Sequence, residues 1–210
     1  MAKAIFSLFE IVLFDFETFD DACYNFDEEK NFMKNVMVIS STPRVNGNSE
    51  ILANEFARGA RDAGHNVEVI NLREYKLNYC TGCYACHKTG KCVFEDGMNE
   101  LGEKLLKADV IVFATPVYFY SMSGQLKVFI DRLVPYYTKI TADTYLIASQ
   151  WDSNKEIMEN TFNAIRGCTI ECFENCKEKG VLYGAGLDGV GEAKNNSIYM
   201  RQAYEMGKNV

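Results

Sequence analysis

Prolines number only three, histidines two and tryptophans one in this chain of 210 residues. No stretch rich in proline, glycine and serine interrupts it, so a linker between two domains is not expected, and no segment repeats. His65 and His87 are too few to demand a catalytic role. His65 follows Gly64 and reads as an exposed turn residue. No run of about 20 apolar residues occurs, which argues against a bilayer-spanning helix. A basic excess is missing too. The formal net charge is −7, and residues 1–32 hold eight acids against two lysines, while the other 178 residues hold 21 acids and 20 bases. A nearly neutral body without a basic stripe argues against nucleic-acid binding.

What is present is ordinary globular composition: 48% hydrophobic and 24% charged, in a length that suits one domain with a sizeable core. Residues 1–32 form an N-terminal extension. Their apolar run from Ala4 to Phe14 is broken by Glu10 and is followed by acids and aromatics instead of a small-residue cleavage site. Met33 stands directly before the first strand. A mis-assigned start and a docking or dimerisation arm are the two accounts of the extension. With no secretory signal, clustered cysteines imply metal or redox chemistry in a reducing, cytoplasmic compartment.

Residues 33–210 alternate between apolar runs and helical periods. Strands are expected at 36–40, 66–70, 109–115, 144–149 and 180–186. Helices are expected at 48–64, 98–108, 124–134, 152–176 and 197–209, with Ser49, Asp96 and Ser123 as candidate N-caps. Continuous apolar strands alternating with helices imply an α/β domain. Its core would be a doubly wound, five-stranded parallel sheet with helices on both faces.

Between the first strand and first helix lies "SSTPRVNGNSE" (40–50). It offers small hydroxyls, Arg44 and free backbone N–H groups at a helix start, which is an anion site. The loop has neither dinucleotide nor P-loop glycine spacing. After the third strand comes "TPVYFYSMSG" (115–124), an aromatic run at the sheet edge where a doubly wound fold opens its crevice. Pro116 is expected to bend the chain away from the strand. Trp151 lines the same crevice or, with Tyr136 and Tyr137, forms a subunit contact.

Cys80, Cys83, Cys86 and Cys92 fall within "NYCTGCYACHKTGKC" (78–92), spaced C-x2-C-x2-C-x5-C. Four close thiolates suit a [4Fe-4S] cluster, with Lys88 and Lys91 offsetting its charge. The alternatives are a zinc site, which more often uses two separated C-x2-C knuckles, an oxidised pair, and the same loop without metal. Cys168, Cys172 and Cys176 are spaced to share one helix face as a packing stripe, and Cys23 has no visible partner.

The phosphate-type loop, the cysteine segment and "KADVIVFATPVYFYSMSGQLKVFIDR" (107–132), in this order, resemble flavodoxin-like NAD(P)H-dependent FMN reductases, and within them the iron–sulfur flavoproteins. The likeness is strong over 34–134, weaker beyond, and excludes 1–32. It implies FMN, with its phosphate held by Ser41, Thr42, Arg44, Asn46, Asn48 and Ser49. The ring would be held by Thr115, Pro116, Val117, Tyr118, Phe119 and Ser149. Backbone groups of Val117, Tyr118 and Phe119 would meet the ring's polar edge. No catalytic side chain is expected, because the cofactor carries the hydride chemistry. The implied activity is an FMN-dependent oxidoreductase. It would take electrons from NAD(P)H and pass them to a small-molecule or protein acceptor, through the cluster where one is held. The other readings are an electron-transfer flavoprotein between protein partners, with a ferredoxin-type donor, and a cluster-free quinone, azo or nitro reductase. The resemblance also implies a homodimer or homotetramer.

Overall fold

In Val36–Ile39 and Val110–Thr115 no charged side chain interrupts the apolar run, so these segments can be covered on both faces. The structure, a computed structural model, describes residues 32–210. The readings placed on the N-terminal extension and on Cys23 lie outside the described residues. Five strands form one parallel sheet: β1 (Asn35–Ser40), β2 (Asn66–Asn71), β3 (Val110–Pro116), β4 (Asp143–Ser149) and β5 (Glu178–Gly184), in the order β2-β1-β3-β4-β5. Val38 stands opposite Val112, which stands opposite Tyr145. β3 is buried throughout, while the edge strand β2 is mostly half-exposed.

Alternate residues of each strand serve opposite cores. Met37, Ile39, Ile111 and Phe113 pack with α3 (Met98–Leu105), α4 (Gly124–Asp131) and α5 (Glu159–Thr169). Val36, Val38, Val110 and Val112 pack with α1 (Asn48–Asp62) and α6 (Ser197–Lys208). A short α2 (Cys86–Thr89) lies in the cysteine segment. α1 and α6 touch backbone to backbone. A Cβ added to Gly59 would lie 2.1 Å from the Tyr204 carbonyl oxygen, and one added to Gly207 would lie 2.0 Å from that of Phe56. β1 leads into α1 on one face and its neighbour β3 leads into α4 on the other, so the crevice of this topology opens at the carboxyl ends of these two strands.

Several local expectations are corrected. The helix expected over 152–176 is only α5, preceded by a 3-10 turn, Lys155–Met158. The chain breaks after Thr169 because Phe173 turns into the core and Asn175 takes a left-handed conformation ahead of β5. The three cysteines therefore share no helix face. Burial pushes the Cys168 thiol up to about 12, Cys172 is exposed, and Cys176 Sγ lies 2.6 Å from the Ala142 carbonyl oxygen. His65 is buried, not exposed, and its Nδ1 accepts from the Lys34 N–H at 3.4 Å. Tyr136 is also buried, lying against Gly102, with its hydroxyl donating to Asn99 Oδ1 at 2.9 Å. Ser123 does cap α4, accepting from the Leu126 N–H at 3.4 Å.

Candidate functional site

Loops that follow β1, β3, β4 and β5 converge at the carboxyl edge of the sheet around an open cleft of about 620 Å³. Cofactor sites commonly span about 300–1,000 Å³. One end is the start of α1. Its N-cap, Gly47, contributes no side chain, and no side chain caps the first turn, so that turn keeps donors of its own. A Cβ on Gly47 would lie 2.7 Å from Thr42 Oγ1, so any other residue there would have to displace that side chain. Ser49 is the second residue of α1, not its cap, and its buried hydroxyl has no partner in the protein. Leaving such a group unpaired costs about 1–3 kcal/mol. Glu50, the acid of the first turn, is drawn away: its carboxylate accepts from Arg73 and from the Asn46 N–H, each at 2.7 Å. Arg44 is exposed at the rim and makes no ion pair among the described residues. The chemistry of this end is that of an anion cradle.

The other end is aromatic. Tyr118 and Ser121 exchange backbone hydrogen bonds of 2.9 and 3.0 Å around a two-residue turn, with Phe119 at φ 48° and Tyr120 at φ 59°. Both central residues are left-handed, a conformation that Asn-Gly pairs usually supply. For residues with a Cβ it costs about 1–2 kcal/mol each. Phe119 is fully exposed at 101%, and Trp151 is 73% exposed across the same cleft. Pro116 does not turn the chain out of the sheet. It still pairs with Ser149, and the Val117 N–H continues the ladder to the Ser149 carbonyl at 2.8 Å. The Val117 and Tyr118 N–H groups are thus taken within the protein.

Thr42, Arg44, Asn48, Ser49, Pro116, Val117, Tyr118, Phe119 and Ser149 all line this one cleft. Ser41, Asn46 and Thr115 do not. The Ser41 hydroxyl donates to the Ala114 carbonyl and accepts from Ser123 Oγ, and Thr115 Oγ1 accepts from the Ser123 N–H at 3.0 Å. These hydroxyls lock the β1 and β3 loops together behind the cleft. Asn46 takes a left-handed turn position, φ 56°, that Glu50 holds. The Asn48 side chain is also spent within the protein. Its amide donates to the carbonyls of Leu187 and Gly189 at 3.2 and 2.9 Å, and its oxygen accepts from the Ala193 N–H at 3.0 Å. It pins the loop after β5, which brings Asp188 and Val190 to the cleft wall. Sequence reasoning missed that wall. Its signal was the G-x-G-x-x-G spacing of residues 184–189 just past the fifth strand, although α6 begins only at Ser197. Gln150 and Asp152 were missed as well and carry no motif.

The four cysteines of the 78–92 segment stand around a second, smaller cavity of about 130 Å³, also lined by Phe94 and Arg132. Cys80 and Cys83 are exposed, Cys86 and Cys92 half-buried. Burial, with the neighbouring thiols, pushes the Cys86 thiol up. Among the described residues no three His, Cys, Asp or Glu side chains are gathered to hold a single metal ion. Lys88 and Lys91 do not line the cavity; its basic group is Arg132. His87 packs edge-on against Tyr84, with ring centroids 5.0 Å apart. Asp96 is not the cap of α3, which is Gly97. Its carboxylate accepts from Arg132 Nη1 and Nη2 at 2.9 and 3.0 Å and from the Asn78 N–H at 2.8 Å, and Oδ1 also accepts from the Met98 N–H at 3.4 Å. Burial acts to raise the Asp96 pKa, but these hydrogen bonds outweigh it and hold the carboxyl well below the usual range.

Residues 34–149 match the family model of NADPH-dependent FMN reductase. The chain is 38% identical over 104 residues to an iron-sulfur flavoprotein of Archaeoglobus fulgidus, covering 50% of this chain and 47% of that one. With an iron-sulfur flavoprotein of Methanocaldococcus jannaschii it shares 39% over 100 residues, covering 48% and 52%. The chain thus spans about half the length of these curated relatives. Among solved structures, an NAD(P)H:quinone oxidoreductase from Methanothermobacter marburgensis superposes with a TM-score of 0.68 at 18% identity, covering 84% of this chain and 96% of that one. That likeness concerns the fold. Because the family match spans more than half of the sequence, and takes in both the anion cradle and the aromatic strand end, the chain belongs to the NADPH-dependent FMN reductase family.

Proposed function

We propose that this chain holds FMN in the large cleft, accepts electrons there from NADPH or NADH, and passes them to a small-molecule or protein acceptor. The observation that carries this reading is the buried Ser49 hydroxyl, without a protein partner, beside the uncapped start of α1. Together they recognise a phosphate without a lysine. Arg44 adds charge from the rim, and the Glu50–Arg73 pair keeps a carboxylate from opposing it. FMN, when bound, supplies the hydride and single-electron chemistry. The chain's own residues bind and orient it, with Thr42, Ser49 and Arg44 at one end and Pro116–Phe119 and Ser149 at the other. Tyr118, Phe119 and Trp151 exclude water from the mouth. No side chain is assigned as a nucleophile or general acid.

The four-thiol cavity favours a finer version, in which Cys80, Cys83, Cys86 and Cys92 hold a [4Fe-4S] cluster. The donor set is all sulfur and surrounds one space, which suits such a group. α4 joins the two places. Ser123 caps its start behind the cleft, and Arg132 follows its end against the thiols, about 12 Å of helix apart. This arrangement also supports a second reading, a carrier that works between protein partners with a ferredoxin-type donor. Four reduced thiols fit a cytoplasmic setting, and the exposed rings of Phe119 and Trp151 offer a surface for a homodimer or homotetramer.

Anaerobic purification, a visible spectrum, and iron and acid-labile sulfide assays test these readings together. Bound FMN that NADPH or NADH bleaches rapidly supports the oxidoreductase, and reduction by a ferredoxin-type donor alone favours the carrier. Flavin without iron removes the cluster. No flavin, even after FMN is added, overturns the whole reading.

A further inference from the structure

Arg132 is the buried cation of the described residues: no other lysine or arginine among them is buried, and only 1% of its side chain meets solvent. No role in the flavin cleft uses it. A buried ion pair is a poor source of stability, because desolvation offsets the attraction. What the pair Arg132–Asp96 does provide is fixed geometry, and that geometry is aimed at the cysteine segment. Arg132 donates to Asp96 from Nη1 and Nη2 and to the Asn78 carbonyl from the second hydrogen of Nη1. Asp96 in turn accepts from the Asn78 backbone at 2.8 Å and from its side-chain amide at 3.1 Å. Asn78 lies two residues before Cys80, and Asp96 four residues after Cys92. The two stems of the thiol loop are therefore tied to each other and to the end of α4. A second clip sits just inside. Asn99 accepts from the Cys92 N–H at 2.8 Å, donates to its carbonyl at 2.9 Å, and is braced by the Tyr136 hydroxyl.

The rest of the guanidinium faces the thiols. Arg132 lines their cavity, its Nε–H is buried without an acceptor in the protein, and its carbon lies 5.0 Å from the Phe94 ring. Asp131 also lines this cavity but is paired with Lys127. Arg132 is thus the basic side chain present where four sulfurs would gather negative charge.

We propose that Arg132 is the positioning residue of the four-thiol site: it closes the neck of the loop through Asp96 and Asn78, and it holds a fixed positive charge beside an anionic iron–sulfur group. The charge half rests on the cluster reading above; the neck half does not. The test uses the full chain as wild type, Arg132→Lys and Arg132→Gln, with bound FMN as the check on folding. In iron-free protein, amide hydrogen exchange over residues 79–92 should quicken at least tenfold in both variants, with β1 and β3 unchanged. After supply of ferrous iron and sulfide under anaerobic conditions, Arg132→Gln should shift the reduction equilibrium of the bound group at least tenfold toward the oxidised form, about 59 mV for one electron. Arg132→Lys should restore most of that shift, a separation that a purely structural role would not produce, because both variants lose the fork. Should Arg132→Gln not retain FMN, Asp96→Asn reads the same neck. Unchanged exchange in every variant overturns the neck, even where the wild type loads iron and sulfide fully. A potential in Arg132→Gln equal to the wild type overturns the charge. A wild type that takes up no iron, with exchange still quickened in the variants, removes the cluster reading and leaves the neck standing.

Discussion

Replacing Ser49 by alanine removes one oxygen from the start of α1 and nothing else. In most buried positions that change is destabilising, because a hydroxyl leaves its partner unpaired. Here the hydroxyl is buried and has no partner within the protein. The flavin-free protein therefore bears the desolvation of an unsatisfied group, about 1–3 kcal/mol. Alanine relieves it. The variant without FMN should be at least as stable as the wild type, by up to about 1 kcal/mol once a small void is allowed for. With FMN the sign reverses. A hydrogen bond from Ser49 to a charged phosphate is worth about 1.5–3 kcal/mol, so its loss should weaken FMN binding about 10- to 150-fold. Urea unfolding of flavin-free protein and fluorescence titration with FMN read the two halves separately. Riboflavin, which lacks the phosphate, should bind wild type and variant alike. The reasoning is refuted if the flavin-free variant loses more than about 1 kcal/mol while its FMN affinity is unchanged. That result would mean that Ser49 serves the framework and not a ligand.

Three further outcomes are expected. Gly207→Ala places a Cβ 2.0 Å from the Phe56 carbonyl oxygen, where neither backbone can yield, so the urea midpoint should fall by the equivalent of about 1–3 kcal/mol or more. The Asp96 pKa is held below its unfolded value, so its contribution is full above about pH 4 and is lost as pH falls through the folded value. Acid unfolding curves should show that loss in the wild type, and Asp96→Asn should flatten it. Phe119→Asn with Tyr120→Gly puts residues that accept left-handed backbone into the cleft turn, and should stabilise flavin-free protein by about 1 kcal/mol in urea unfolding. The same pair removes two rings from the mouth, so flavin fluorescence should become more accessible to iodide quenching.

The sheet was legible because each strand is a continuous apolar or alternating run, and parallel strands admit few topologies. Helix ends were less legible where a tertiary demand outweighs local preference. Residues 152–176 have helical spacing, yet Phe173 is needed in the core, and the chain leaves the helix after Thr169 to deliver it. Asp96 reads as an N-cap by type and place; Gly97 takes that position, and although Asp96 Oδ1 still accepts from the Met98 N–H at 3.4 Å, its shorter bonds go to a buried arginine 36 residues away. Charge-assisted, bidentate bonds outweigh a single cap bond. No local pattern announces that competition, since it depends on which side chains the fold buries together.

The same distinction runs through the candidate site. Its loops were found from residue type, because hydroxyls, glycine and arginine at a helix start have few other uses. Which hydroxyl the fold leaves without a partner was not readable. Ser41, Thr42 and Ser49 are equivalent in sequence, yet Ser41 is tied to Ala114 and Ser123, Thr42 accepts from the Arg44 N–H at 3.2 Å, and Ser49 is left without a partner. Asn48 is expected among the phosphate contacts for the same reason; it does line the cleft, and its side chain holds the loop that forms the cleft wall. A side chain that already has three partners has little to offer a phosphate, so replacing Asn48 should disturb the 187–193 loop before it disturbs any anion contact. The residue with the strongest claim on a ligand is the one the protein itself leaves unsatisfied.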